Sequence, residues 1–352
     1  DGAAGLSFDK NGNAPVVAND ADFTIYESIS IVSDCNGELA FYTDGVKVYD
    51  ASHTLMFNGT GLLGPQENNS NPGAGGSSPN GVLIVGDPSD TTKYYIFTVG
   101  ETISGGSNGW RYHTVDLSQI GNGSASAPLG EVTSKNNIIY GRVAEGQSAV
   151  SNECGDSLWI VAHTYGSDTL LSLPITQSSG VGSVVKTKIG PVLGPGNGCR
   201  GSSDFSPNGD KYAMGYLWSN TSGGGHILDF DFSTGLFSNI LLMPGTGQGV
   251  YGVEFSFDGL SVYLGRWSLG KIDHYNIGTN TLTNVYTGGG IIGDLEKAPD
   301  GKIYVGKDKG VTYLGVINSP DVSSGTLSLS LIHISEPTRR TPISYAVFCL
   351  KK

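Results

Sequence analysis

Between Ser28 and Asn318 one short pattern recurs six times: a β-run, a turn rich in Asn, Asp and Gly, and a second β-run carrying an aromatic residue. The clearest copies are Phe205–Gly215 (FSPNGDKYAMG), Phe255–Gly265 (FSFDGLSVYLG) and Lys297–Gly306 (KAPDGKIYVG). A unit of about 40–55 residues, each worth several strands, is the signature of a β-propeller or a stacked β-array. The repeat therefore limits the architecture before any single residue is considered.

Composition agrees with an all-β chain. The 352 residues include 54 Gly, while only 15% are charged, which suits many tight turns needing positive φ. The 38% of hydrophobic residues fall in short β-branched and aromatic runs, a pattern opposite to that of disorder. No stretch approaches the roughly 20 apolar residues of a membrane-spanning helix. There is no basic cluster, and a formal charge of −12 argues against nucleic acid or an anionic lipid surface as partner. A soluble, acidic, globular domain is expected.

The last segment has a different character. Leu329–Arg339 (LSLIHISEPTR) resembles the conceptual translation of a sequencing adapter. Arg340–Pro342 then has the length of an index read in frame, Ile343–Leu350 resembles distal adapter sequence, and Lys351-Lys352 reads as an A-tract. On this reading residues 1–328 form the propeller and residues 329–352 a non-native tail, excluded from fold reasoning. Removing its four basic residues and one acidic residue takes the net charge from −12 to −15, and removing Cys349 leaves Cys35, Cys154 and Cys199. The natural gene is expected to continue past Thr326. Asp1 follows no charged-then-apolar leader, as for a processed secreted protein or a fragment.

Each unit reads as four strands numbered outward from a central channel. The fourth, for example, runs Ser202–Ser206, Tyr212–Leu217, His226–Phe232 and Phe237–Leu242. The sixth offers Gly293–Lys297, Lys302–Val305 and Tyr313–Ile317 without a fourth strand. The N-terminal run Gly5–Asp9 belongs to no unit, and propellers commonly close by completing one terminal blade with the other terminus. The expectation is a six-bladed β-propeller of four-stranded antiparallel blades, the N-terminal strand closing the last. Seven blades is the alternative. Two polar loops, Gly61–Asn80 and Thr102–Gly109, break the period and are expected to be mobile.

Two stretches go beyond a generic propeller. Glu27–Gly45 and Met56–Gly64 resemble the opening blade of a family of secreted propellers from gliding Bacteroidetes-type bacteria. Val82–Val85 with Lys93–Thr98, Leu158–His163 and the Ser-Pro-Asn-Gly and Ala-Pro-Asp-Gly turns follow in the same order, so the resemblance spans roughly Gly5 to Pro320. Ser28 stands where the family tends to carry Gly, and the loop after Gly64 is longer. The resemblance implies a secreted propeller set before immunoglobulin-like modules and a sorting domain. It implies no reaction.

In such a fold, groups from different blades meet only in the channel and at its mouths. His113, His226 and His274 fall on third strands, too far apart for a shared metal ion. Glu27, Glu145, Glu254 and Asp294 lie on or just before innermost strands, with Gln147 and Ser203 at comparable positions. Such a ring could hold a hard cation, with Ca²⁺ on Glu27, Glu254 and Asp294 as the candidate, or could solvate a water-filled channel. The Asp/Asn-Gly turns lack the ligand spacing of an EF-hand and read as hairpins. Gly223–His226 and Gly288–Gly290 are not phosphate loops, since no Lys-Ser/Thr follows. No Gly-x-Ser-x-Gly elbow marks a nucleophile. Cys154 and Cys199 are candidates for a disulfide in an oxidising compartment, and the tryptophans for packing between blades.

These readings point to a secreted or cell-surface binding module, a monomeric domain of a longer chain, recognising a glycan or a surface protein without a catalytic residue or an obligatory cofactor. The alternatives are a metal-dependent lactonase or glycan hydrolase using the acidic ring, and a structural spacer in a larger adhesin.

Overall fold

The computed structural model describes residues 5–8, 15–18, 28–34, 37–65, 78–102, 105, 108–217, 224–243, 249–307, 313–321 and 329–333. It is built from antiparallel sheets. Strands β1 (Gly5–Ser7) and β2 (Val16–Ala18) form a separate hairpin. β3 (Ser30–Ser33), β4 (Leu39–Thr43), β5 (Lys47–Asp50) and β6 (Leu55–Thr60) pair in sequence. So do β7 (Val82–Asp87), β8 (Asp90–Val99), β9 (Trp110–Asp116) and β10 (Glu131–Tyr140). A single parallel bridge, Glu131 to Phe57, joins β10 to β6 and makes these eight strands one sheet.

The next sheet contains β11 (Val143–Ser151), β12 (Ser157–Thr164), β13 (Thr169–Thr176), β14 (Gly180–Val181) and β15 (Val185–Lys188), the last two both paired with β13. Three four-stranded sheets follow. They are β16 (Ser203–Phe205), β17 (Lys211–Tyr216), β18 (Gly224–Asp231) and β19 (Leu236–Leu242); then β20 (Val250–Phe255), β21 (Ser261–Arg266), β22 (Lys271–Asn276) and β23 (Thr281–Thr287); then β24 (Ile292–Lys297), β25 (Ile303–Lys307), β26 (Tyr313–Ile317) and β27 (Leu329–His333). Among the described residues no helix is long and apolar enough to cross a membrane.

The repeated turn explains the repeated hairpin. In Asp34–Gly37, Asn152–Gly155, Ser206–Gly209, Ser256–Gly259 and Ala298–Gly301 the glycine N–H donates to the carbonyl of the first turn residue, at 2.8–3.1 Å. Each of these glycines has positive φ, for instance +71° at Gly209, which a side chain would strain. The Asp/Asn-Gly turns are therefore hairpin turns, as expected from the sequence.

The sheets pack face to face in chain order through apolar clusters. Phe41, Ile84 and Val115 join β3–β6 to β7–β10. Phe97, Ile160 and Leu173 join β7–β10 to β11–β15. Trp159, Tyr212 and Phe230 lie between β11–β15 and β16–β19, Ile227, Phe255 and Tyr275 behind them, and Tyr263, Ile292 and Val305 between the last two sheets. Burial of each such aromatic or aliphatic side chain is worth about 1.5–3 kcal/mol. The first strands of successive sheets, β3, β7, β11, β16, β20 and β24, also touch in that order. This is a propeller-like arrangement, with the first strands gathered about a common axis.

Two expectations are corrected. The N-terminal strand does not complete the last sheet. The edge of β26 is taken by β27, paired Tyr313 to His333 through Ile317 to Leu329. β1 instead pairs with β2, and Leu6, Phe8 and Val17 cover Ala298, Tyr304 and Leu314 of the last sheet, with Phe8 edge-on to Tyr304 at 5.6 Å. The fourth strand, which the sequence left missing, thus begins at the start of the adapter-like tail. An exposed sheet edge pairs with any nearby segment of suitable pattern, and Leu-Ser-Leu-Ile-His is a short, mostly apolar run free of Gly and Pro.

Candidate functional site at the central strands

First strands sit at the ends of their sheets, so their inner edges lack a β-ladder partner and their N–H groups need other acceptors. Side chains of the preceding first strand supply them. Ser30 Oγ accepts from Ile84 N at 3.1 Å, Ser202 Oγ from Val253 N at 2.8 Å, and Asp204 Oδ2 from Phe255 N at 3.2 Å. Glu254 Oε2 accepts from Lys297 N at 2.9 Å. These bonds fix the polar residues of the inner strands and set the level of each on the axis.

Around β16, β20 and β24 this produces a charged cluster. The Lys297 ammonium bonds Asp204 Oδ2 at 2.8 Å and also bonds Glu254 Oε1. Asp294 and Glu296 lie on the same strand as Lys297. Two acidic side chains thus bond one ammonium, and two more lie on its strand. Side chains of Asp204 and Lys297 stay 26% and 24% exposed while Glu254 is 4% exposed, so solvent reaches one side of the cluster.

The shared ammonium splits the proton affinities. Burial opposes the charge on Asp204, but Lys297 and the Glu254 hydrogen bond outweigh it and hold that carboxyl below its ordinary value. Glu254 is pushed well up by burial and by the Asp204 charge. Burial, with the charges of Asp294 and Asp204, likewise raises Glu296. Asp294 is pushed up to about 7, chiefly by burial, against hydrogen bonds from Ser202 and the Leu295 N–H. Burial works against the Lys297 charge, yet Asp204 and Glu254 raise its affinity overall.

The sequence-derived candidates separate on this frame. Glu27 lies outside the described residues. Glu145, Gln147, Ser203, Glu254 and Asp294 all fall on first strands. They do not form one ring. Contacts between neighbouring first strands run in parallel register, with Ser148 Oγ on Ser203 O at 2.6 Å and Phe255 N on Asp204. Glu145, near the start of β11, therefore sits toward the opposite end of the axis from Asp204 and Glu254. It accepts from Thr102 N and Oγ1 at 2.9 and 2.5 Å and faces Arg200 Nε at 3.8 Å. Gln147 is structural: its Oε1 accepts from Trp110 Nε1 and its Nε2 donates to Phe97 O, both at 3.1 Å. Ser203 is held by Ser148.

Of the set expected for Ca²⁺, Glu27 lies outside the described residues, Glu254 bonds Lys297 and Asp294 lies on β24. Among the described residues no group of three or more His, Cys, Asp or Glu side chains is placed to hold a metal ion. The Cys154–Cys199 pairing is not made: both thiols are free. Cys199 is buried, accepting from Gly166 N and donating to Gly194 O, whereas Cys154 is exposed in the turn after β11. His113, His226 and His274 occupy third strands as expected.

Sequence reasoning missed Asp204, Glu296 and Lys297. Their signal was present. The clearest repeat copies begin at Phe205, Phe255 and Lys297, and the residue before each is an acid: Asp204, Glu254 and Glu296.

No protein-family model matches the chain, and no curated protein matches it. Solved structures do. A protein described as a putative 6-phosphogluconolactonase from Bacteroides uniformis is 15% identical with a TM-score of 0.55, over 94% of this chain and 91% of that one. The fold is a β-propeller. The periplasmic gluconolactonase of Pseudomonas aeruginosa is also 15% identical, with a TM-score of 0.50 over 89% of this propeller and 82% of its own chain. At such identities the likeness concerns the fold alone.

Proposed function

We propose that the chain is a six-bladed propeller serving as a secreted or cell-surface binding module, with a glycan or a surface protein as ligand. The count of six takes β3–β6 and β7–β10 as two blades meeting at one bridge, with seven blades as the alternative. The proposal extends to a propeller of the gliding-bacterial type, working as a monomeric domain of a longer chain.

The observation that carries the binding reading is the solvent-reached pairing of Asp204 and Glu254 with Lys297, on whose strand Asp294 and Glu296 also lie. Carboxylates converging from three strands offer acceptors to the hydroxyls of a sugar, and to ammonium or guanidinium groups of a protein. Glycan-array screening followed by calorimetry tests it. Asp204→Asn, which removes the carboxyl that Lys297 holds ionised, is expected to weaken binding by at least about tenfold, as loss of one charged hydrogen bond does. A blank array with no protein ligand sinks the reading and favours a structural spacer.

A second reading, a lactone- or glycan-cleaving hydrolase, rests on one feature. Asp204 is held ionised while Asp294 titrates at about 7, the split expected of a base and an acid sharing a site. The two similar structures named as lactonases make lactones the first substrates to test. Turnover by the intact protein, lost in Asp294→Asn and assayed with added Ca²⁺ and with chelator, would move the assignment to an enzyme.

A further inference from the structure

The seam between the sheets β11–β15 and β16–β19 contains two imidazoles among apolar side chains. His226, near the start of β18, is 1% exposed, and neither ring nitrogen has a hydrogen-bond partner among the described residues. Its ring lies against Tyr216 of β17, with centroids 5.6 Å apart. On the other side it meets the backbone at Gly190, where a Cβ would lie 3.8 Å from Nε2. His163, in β12 of the facing sheet, is also 1% exposed, and its Nδ1 lies 2.8 Å from the Thr164 carbonyl.

The charged and titratable groups around this pair offer no counter-ion to His226. From β12 comes His163, whose charge would repel that of His226. From β17 comes the buried Tyr216 phenol, raised by burial. Asp168, in the β12–β13 turn, favours the charged form of His163 only, and it is shared with Lys188 of β15 at 3.8 Å.

We propose that the seam between these two sheets is an acid-released joint, closed while His163 and His226 are neutral and opened when either imidazole takes up a proton. An imidazolium at His226 would be a buried charge with no acceptor, and the cheapest relief is separation of the sheets to admit water. Burial places both groups accordingly, His163 at about 4 and His226 at about 3.

The sign follows from linkage. Both affinities are lowered on folding, so the open state binds more protons between pH 6.5 and about 4. Closure is fully favoured above pH 6.5 and weakens as pH falls. At pH 5 each histidine favours the open state by about 30-fold relative to pH 7.5.

Hydrogen–deuterium exchange of the intact chain at pH 7.5 and 5.0, corrected for intrinsic rates, reads this opening at the amides of β12 and β18. His226→Phe keeps an aromatic ring against Tyr216 without a basic nitrogen. It is expected to reduce the rise in opening at pH 5 by about 30-fold. An equal rise in variant and native protein overturns the proposal. Imidazole NMR of the native protein decides it without a variant: the His226 resonances should stay neutral down to the opening transition, and reversible titration near 6.5 within a closed fold overturns the joint.

Discussion

Two halves of the propeller place different residues at one equivalent position of the same repeat. Two residues before the hairpin turn stand Val32 and Val150 in the N-terminal half, but Asp204, Glu254 and Glu296 in the C-terminal half. The register is shared: Val32 pairs Phe41, Val150 pairs Trp159, Asp204 pairs Ala213 and Glu254 pairs Tyr263. In the first half the position packs between sheets, Val150 against Trp159 and its neighbours, and the inner groups include the neutral Ser30 and Gln147, with the charged Glu145 and Arg200 farther from the turn. In the second half a carboxylate binds the next strand and brings Lys297 with it. At this level of the axis one scaffold therefore carries a neutral side and a charged side with unequal charge.

The sharpest way to break this contrast is Lys297→Met. It leaves Asp204 and Glu254 facing each other without a cation and should cost about 3 kcal/mol near pH 7.5, the range for breaking an enclosed ion pair. Urea denaturation reads it, and the loss should shrink as acid protonates the carboxyls. A change below about 0.5 kcal/mol would mean that channel water already solvates the cluster as well as Lys297 does.

Asp294→Asn probes the same side with the opposite sign. The folded carboxyl titrates at about 7, above its ordinary 3.8, so the native fold binds the extra proton and loses stability as pH rises through that interval. Above pH 7 the cost is fully present; below 3.8 it vanishes. The variant should be more stable than the native protein by about 2 kcal/mol at pH 8, the full shift discounted for solvent, with no difference near pH 4. An advantage that does not fade on acidification would locate the strain elsewhere.

Gln147→Ala is the matching test on the neutral side. It removes the acceptor of Trp110 Nε1 and the donor to Phe97 O. It should cost about 2 kcal/mol, with little change between pH 7 and 8 because no titratable group is lost. A strong pH dependence there would erase the distinction between the halves.

Much of the scaffold was legible because it is local. Gly209, Gly259 and Gly301 mark turns whose conformation few other residues adopt, and strand order follows from the hairpins they make. Less legible was anything set between repeats. Glu145 and Glu254 both read as innermost acids, yet their levels differ because Glu145 lies near the start of the long strand β11 whereas Glu254 lies next to the last residue of β20, close to its turn. Lys297 reads as the opening residue of a turn motif, and only the approach of β16, β20 and β24 gives it two carboxylate partners. The closing strand failed for a related reason: which segment fills a free edge depends on competition between distant pieces of chain, here β1 and β27, and neither alone encodes the outcome.

The smallest effect concerns the outer rim, where β6 and β10 meet. Lys135 Nζ donates to Asn58 O and Oδ1 and to Thr60 O across that seam. Asn136 reaches Leu63 N and Gly61 O beside it. All of Lys135's bonds are exposed, so water replaces them readily and Lys135→Ala should cost only about 0.5 kcal/mol. The number bears on architecture. With a weak seam, β3–β6 and β7–β10 behave as two blades held by the apolar layer of Phe41, Ile84 and Val115, and local exchange at β6 should rise without disturbing β4. A loss above about 2 kcal/mol, with β4 and β8 opening together, would instead make the eight strands one continuous sheet and remove a blade from the count.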